Sequence, residues 1–431
     1  MQSRRKIEKM RRALMRSNTR LLLTAVLIFQ ALAMLLLVLK PEEKSMQPLI
    51  LAAAIPLGTL ILTNLMGRIW PIDRAILILV LLLVSIGLIA LSDICRSEET
   101  PRTQAFYALI GVAAMFIGAA IIRSYTDWKK HAALLGFLCI LALLSPWAIG
   151  HWVQGARNWV YVGSLSAQPS EFMKPVLICV LAAGFSGRPR FIRCLPAIFF
   201  AAVCCGILLS ERDLGALLLY FLTTVLMYYA ATSNAFVTLA GLGMGGAAAV
   251  VAYKAFPYVQ DRVSIWQNPW ADPLDTGYQI VRALAAIGSG GLFGMGLGLG
   301  MPRSVPLYHS DFIFTSIAEE FGLIFSLCMM AIYVILIFRG LIVAMNARTS
   351  FHSLTAFGLV TMLGLQALLI IGGNTKLLPL TGVTLPLVSY GGSSLVSTMF
   401  SMGVLLGISS LNAEDEARDI AKIALGEEDP L

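Results

Sequence analysis

One stretch of this chain sets two carboxylates and a hydroxyl at helical spacing: His309-Ser310-Asp311-Phe312-Ile313-Phe314-Thr315-Ser316-Ile317-Ala318-Glu319-Glu320-Phe321-Gly322. At 3.6 residues per turn Asp311, Thr315 and Glu319 fall on one stripe, with Phe312, Ile313, Phe314 and Ile317 on other faces. The expectation is a carboxylate at the mouth of a membrane helix with a polar column beneath it. Partial burial there raises a carboxyl pKa towards the range useful for a general base, unless a neighbouring cation lowers it again. A helix cap made by Ser310 or Asp311 is the plainer alternative. Asp311 is therefore the candidate catalytic residue, with His309 and Glu319 as candidate substrate contacts.

Two further charged groups stand beside apolar runs, where each ionisable side chain costs about 2.5 to 3.5 kcal/mol on insertion scales and needs a reason. In Gln168-Pro169-Ser170-Glu171-Phe172-Met173-Lys174, Pro and Ser suit a helix start, and Glu171 and Lys174, three apart, share a face. The pair is either a buried salt bridge that fixes packing or, with upstream Arg157, part of a cationic site for a phosphate-bearing head group. In Glu211-Arg212-Asp213-Leu214-Gly215 the acidic groups open a helix, so Asp213 is either a cap or a substrate contact. The loop from Pro379 to Ser394, containing Ser389 and Ser393, is too broken by Pro and Gly to span and too apolar to be solvated. It is expected to re-enter, its backbone satisfied by protein or a wet cavity, and both serines are candidate substrate contacts.

Other motifs exclude more than they offer. Seven glycines lie between Gly288 and Gly300, but neither the dinucleotide nor the P-loop spacing is present and no strand precedes them, which argues against nucleotide binding. Flexible backbone lining a membrane-surface cavity is the expectation. The run Asp261 to Trp270 carries aromatic residues suited to anchoring at the interface. All seven cysteines lie in or beside apolar runs without metal-ligand or framework spacing, as small packing residues would.

The elements that must position these groups are membrane helices. Of 431 residues 58% are hydrophobic and 13% charged, outside the composition of soluble domains. Apolar runs of spanning length recur at 19–39, 47–66, 75–92, 104–124, 131–149, 173–187, 192–209, 213–231, 235–255, 311–338, 352–372 and 393–411, which predicts an all-α polytopic protein with about twelve transmembrane helices. The net charge of +8 reflects topology instead of nucleic-acid binding. Arg4, Arg5, Lys6, Lys9, Arg11, Arg12, Arg16 and Arg20 precede the first run, and Arg123, Lys129, Lys130, Arg188, Arg190 and Arg193 fill alternate loops. The positive-inside rule puts both termini in the cytoplasm. The first run is too long for a signal peptide and reads as a retained anchor. Three long connections, His151 to Ser170, Phe256 to Ser310 and Gly373 to Gly392, then share the opposite, outward side. The last 20 residues read as a short amphipathic helix or frayed tail.

In order, Gly155-Ala156-Arg157-Asn158-Trp159, the Gln168 to Lys174 block, Asp213-Leu214-Gly215, Tyr278-Gln279, Gly290-Gly291, His309 to Gly322 and Pro379 to Ser394 resemble the SEDS family (shape, elongation, division and sporulation), the group of RodA, FtsW and SpoVE. The resemblance covers about residues 150 to 411. It implies a ten-helix core with two extra N-terminal helices, and half-helical or re-entrant segments on the extracytoplasmic side. The layout is a basic cytoplasmic tail (1–18), N-terminal transmembrane helices (19–149), a catalytic core (150–411) with a large outer loop (256–310), and a cytoplasmic tail (412–431). The implied protein is an inner-membrane peptidoglycan glycosyltransferase. It consumes lipid II, the undecaprenyl-pyrophosphate-linked disaccharide-pentapeptide, releases undecaprenyl pyrophosphate, and works with a class B penicillin-binding protein transpeptidase. The family's catalytic Asp falls on Asp311, and its other sensitive positions match Glu171, Lys174 and Arg157. Asn158 stands where the family often has a basic residue, and Glu211-Arg212 where it often has Gln-Pro. A divalent cation, Mg or Mn, is a further candidate for balancing the pyrophosphate. The competing readings are a flippase for the same lipid, which should show related halves meeting at the midplane, and a non-catalytic scaffold for a transpeptidase.

Overall fold

The computed structural model describes residues 2–39, 46–95, 99–153, 155–163, 165–187 and 190–425. Among them are fourteen α-helices and one small sheet. The N-terminal hairpin α1 (Gln2–Val38) and α2 (Met46–Ile69) is followed by α3 (Arg74–Ile94), α4 (Glu99–Ser124) and α5 (Trp128–Ile149). Next come β1 (Gly150–Val153), β2 (Ala156–Val162) and β3 (Leu165–Ala167), then α6 (Pro169–Phe185), α7 (Phe191–Ser210), α8 (Leu214–Thr232) and α9 (Ala235–Ala255). Two short helices, α10 (Pro257–Gln267) and α11 (Tyr278–Gly290), precede the long α12 (Ile313–Met345), α13 (Ser350–Asn374) and α14 (Gly392–Leu425).

Eleven of these helices are long and apolar enough to cross a membrane, and the chain is a multi-pass membrane protein. The sixth expected span corresponds to α6, which has 17 residues because Pro169 fixes its first turn and the chain turns extended at Ser186. The apolar sequence of α3 is buried on nearly all sides, so this helix sits at the centre of the bundle. By contrast, Thr238 is the buried residue of α9, which leans on α8 and α10 and leaves its apolar surface outward. The helix α1 continues unbroken from Gln2 into the apolar span that begins at Thr19; the side chains of Arg4 to Arg16, and Arg188, lie outside the described residues. The last residues also extend a helix instead of forming a separate one. Arg123 bonds Glu414 (2.8 Å) and Arg348 approaches Asp415 (3.6 Å), pinning the end of α14, while 426–431 lie outside the described residues.

The N-terminal hairpin docks on the bundle through one buried amide. Gln30 is fully buried, and its Nε2 donates to Thr59 Oγ1 (3.0 Å) in α2 and Ser85 Oγ (3.1 Å) in α3. In apolar surroundings such bonds select one register among many that greasy helices allow.

Helix α12 is broken at Gly322, whose backbone (φ 83°, ψ 174°) belongs to no helix. The break strands carbonyls above it and amides below it, and these must find other partners. The glycine-rich run supplies them. Met295 and Gly296 N–H donate to the Glu319 and Glu320 carbonyls (2.9 and 3.0 Å), and Leu323 and Ile324 N–H donate to the Gly291 and Leu292 carbonyls (3.0 and 3.2 Å). The run is therefore backbone pairing for a bent helix, and its glycines permit the approach. A Cβ on residue 322 would collide with Gly294 N and the Leu292 carbonyl, at a φ that L residues rarely adopt. Gly322→Ala should destabilise the protein by about 3 kcal/mol or more; a melting curve of the detergent-solubilised variant matching the parent's would contradict this packing.

Among the described residues, one sheet departs from the expected all-helical chain. The β-branched and aromatic residues Trp152, Val153, Trp159, Val160, Tyr161 and Val162 favour extended backbone, and Gly155 (φ 80°) and Gly163 (φ 63°) occupy the turns between strands. The strands pair antiparallel in the order β1-β2-β3, with His151 opposite Trp159 and Tyr161 opposite Ser166.

Candidate active site

Four connections meet at the end of the bundle opposite Arg123 and Arg348: the sheet, the α7–α8 turn, the segment from α10 to α12, and the irregular stretch between α13 and α14. Asp213 is their hub. It caps α8 through Oδ1, which accepts from Ala216 N–H (3.1 Å), while Oδ2 accepts from Gln168 Nε2 (2.9 Å), Ser170 Oγ (3.0 Å) and Asn158 Nδ2 (3.2 Å). Capping alone would leave Oδ2 to water; here it ties β2 and the start of α6 to α8. So many donors on one carboxylate fit an anion.

Asp311 lies two residues before the first helical position of α12, and Phe312 takes the N-cap place without a side-chain bond. Neither Ser310 nor Asp311 caps the helix, and the Asp311 carboxyl is left for other work. Burial pushes it up to about 6, against the Ser310 hydroxyl and the Arg262 charge, which pull it down. Its carbonyl accepts from Asn374 Nδ2 (2.8 Å), and Asn374 Oδ1 accepts in turn from Thr315 (3.0 Å), so the polar column begins as expected and is completed from α13. Gly382 (φ 72°) lets the loop pass Asp311, whose Oδ2 is 3.8 Å from where a Cβ would stand.

Arg262 of α10 sits within electrostatic reach of both Asp213 and Asp311, and donates through Nη1 to the Leu380 carbonyl (3.2 Å). Two carboxylates from distant parts of the chain thus lie within electrostatic range of one guanidinium.

The other candidates are placed as follows. Glu171 and Lys174 form a salt bridge (2.7 Å) with both side chains almost wholly buried, and Lys174 Nζ also donates to Gln366 Oε1 (2.7 Å). These contacts are those expected of the packing pair, one of the two readings the spacing left open. Arg157 spends its guanidinium on the Gly150 and Trp147 carbonyls (3.2 and 3.0 Å) and the Trp147 ring, anchoring the sheet to α5. Glu319 is buried and accepts from Met301 N–H (3.0 Å), joining the glycine-rich segment instead of Asp311. His309 packs between Tyr308 and Tyr390, and burial holds its ring below the usual histidine value, hence neutral. Ser389 Oγ donates to the Ser310 carbonyl (2.7 Å) and accepts from Leu385 N–H (2.8 Å), fixing the residue before Asp311. Ser393 Oγ accepts from Gln168 N–H (3.2 Å).

The Pro379 to Ser394 stretch is irregular yet buried among helices, which requires a partner for each carbonyl. Gln366 donates to Thr384 (2.9 Å), Tyr333 to Pro386 (2.5 Å) and Gln104 to Ser389 (2.9 Å). Sequence reasoning missed these uncharged polar side chains, as it missed Arg262, Asn374, and the bonds of Asn158 and Gln168 to Asp213. A polar amide inside an apolar run was the available signal for Gln104, Gln366 and Asn374. For a resident metal the donor set does not fit: among the described residues no three of His, Cys, Asp and Glu gather as ligands.

The arrangement and order of these segments match a known family model, described as cell cycle protein and covering FtsW, RodA and SpoVE, over residues 69–414. The chain belongs to this family. The match begins just before α3, so the family part contains ten of the twelve expected spans and the α1–α2 hairpin precedes it. The peptidoglycan glycosyltransferase RodA of Mycobacterium tuberculosis is 34% identical over 368 residues, 78% of each chain. Stage V sporulation protein E of Bacillus subtilis is 35% identical over 360 residues, 78% of this chain and 96% of its own. Among solved structures, one described as the structural coordination of polymerization and crosslinking by a peptidoglycan synthase complex aligns with a TM-score of 0.67 at 25% identity, covering 80% of this chain and 99% of that one.

Proposed function

We propose that this membrane protein, a peptidoglycan glycosyltransferase by its family, polymerises lipid II with Asp311 as general base and Arg262 as the fixed cation of the site. The observation that carries the reading is the Asp213–Arg262–Asp311 arrangement, with the Asp311 carboxyl pushed to about 6 by burial. A base with that value is ionised at neutral pH yet still basic enough to take a proton. The acceptor sugar's 4-hydroxyl loses its proton to Asp311 as its oxygen bonds the donor's anomeric carbon. The bond from that carbon to the undecaprenyl pyrophosphate breaks, and the leaving group departs with the electron pair. Because pyrophosphate leaves readily once its charge is balanced, no second carboxylic acid is needed, unlike a glycosidase. Asp213 holds the sheet and α6 around the site and keeps Arg262 in place. Glu171, Lys174, Glu319, Ser389 and Ser393 act by positioning, and His309 offers a neutral ring to the sugar.

The basic α4–α5 connection (Arg123, Lys129, Lys130) and the basic start of α7 (Arg190, Arg193) support cytoplasmic termini, and the site then faces outward, where lipid II head groups and a class B penicillin-binding protein transpeptidase are met. A divalent cation arriving with the substrate would supply further charge balance to the pyrophosphate, and chelation with add-back measures its contribution. Arg262→Gln should lower polymerisation of labelled lipid II by about 10²-fold or more, with Arg262→Lys retaining a larger part because the charge survives without the planar fork. Equal activity of all three proteins would remove Arg262 from the site.

A further inference from the structure

One carboxyl that the proposed chemistry leaves aside sits where a charge is hard to hold. Glu211 follows the last turn of α7 and is 1% exposed. Its carbonyl accepts from Arg157 N–H (3.0 Å), which joins β2 to the α7–α8 turn, but its side-chain Oε1 is buried without a partner. The cations nearest in the fold are engaged elsewhere. Arg212, in a left-handed backbone conformation (φ 61°), lies over the rings of Trp152 and Tyr258, 5.1 Å from each, and Arg157 serves Trp147 and Gly150. Arg262, on the helix that also carries Tyr258, faces Asp213 and Asp311. The charged group acting on Glu211 is Asp213, whose carboxyl oxygens accept from four donors. Glu211 has no cation facing it, and burying a second charge beside the Asp213 carboxylate without one is costly. Consistent with this, burial first and Asp213 second push Glu211 up to about 8.

We propose that Glu211 is a positioning residue that keeps its proton while the enzyme works, and that loss of that proton to solvent base disables the Asp213 cluster. This rests on the glycosyltransferase reading. Neutral Glu211 leaves Asp213 as the one anion to which Asn158, Gln168 and Ser170 orient. Ionised, it adds a second negative charge within electrostatic reach of Asp213 and without a counter-ion, next to the carboxylate that ties the sheet and α6 to α8. The sign is fixed: the working form is the protonated one, so activity declines as pH rises through about 8.

The test is the pH dependence of lipid II polymerisation by the purified full-length chain and by Glu211→Gln, which reproduces the neutral acid in shape and charge. At neutral pH the two should agree within about twofold. One pH unit above the transition the parent should have lost about tenfold in kcat/KM, and the Gln variant should not. A purely packing role would change melting temperature and leave the two profiles parallel, which would overturn the proposal. So would an inactive but monodisperse Glu211→Gln that melts like the parent. Should the variant not fold, infrared difference spectra of the parent decide: a protonated carboxyl band that disappears between about pH 7 and 9 supports the held proton, and its absence refutes it. The infrared readout needs no substrate, so a parent that makes no polymer at any pH would sink the glycosyltransferase reading while the band still rules on Glu211.

Discussion

Asp311→Asn should abolish glycan polymerisation, lowering the rate by about 10² to 10⁴, while leaving a folded protein that melts somewhat above the parent. The amide keeps the shape and cannot accept the proton. The gain in stability follows from the same burial that tunes the base. The folded value of about 6 lies above the ordinary carboxylate value of 3.8, so between these values the folded form binds more protons than the unfolded one. Stability therefore falls as pH rises through that window, and at neutral pH the ionised Asp311 is a cost. Asn removes it. Both signs are measurable on one preparation, by polymer formation on gels and by thermal unfolding at pH 7 and below about pH 4. Loss of activity with a lowered melting temperature at neutral pH would mean that Asp311 is part of the packing instead.

The largest stability effect is expected at Lys174. Its ammonium is buried against Glu171 Oε1 and Gln366 Oε1, both at 2.7 Å. Removing one partner of a buried pair leaves the other as an uncompensated charge, at about 3 to 5 kcal/mol. Lys174→Met should therefore cost most of the folded yield, and it also frees Gln366, whose Nε2 holds the Thr384 carbonyl of the loop beside Asp311. Activity of whatever folds should fall with it. The double variant Glu171→Leu with Lys174→Met removes both charges and should recover much of the stability, because apolar replacement of a buried pair is often close to neutral. A single variant that melts normally but binds lipid II poorly would instead restore the head-group role that the spacing also allowed.

How much of this was legible depended on whether a feature is local in sequence. Spanning helices follow from runs of apolar residues, and the expected bounds meet α1 to α9 and α12 to α14. The position of Asp311 just before a helix, with Thr315 below it, follows from 3.6-residue periodicity. Its raised pKa follows from burial, and a cation does pull against it. What was not legible is pairing across distance. Arg262 looked like part of an interfacial anchor, because nothing near it in sequence shows that it comes within electrostatic reach of Asp213 and Asp311. The glycine run looked like cavity lining, because its partners are stranded backbone groups at a break in α12 that only Gly322 betrays. The sheet between α5 and α6 was concealed by its context of helices, although Gly155 and Gly163 punctuate it.

The most direct test of the central claim is the acid side of the pH–rate profile for polymerisation, measured on the parent and on Ser310→Ala. If Asp311 takes the proton, the parent's rate should rise with pH through about 6. Loss of the Ser310 hydroxyl, which steadies the Asp311 anion, should move that rise to higher pH. A rate that is flat across this range, or a rise that stays at the same pH in both proteins, would contradict the assignment of Asp311 as the base.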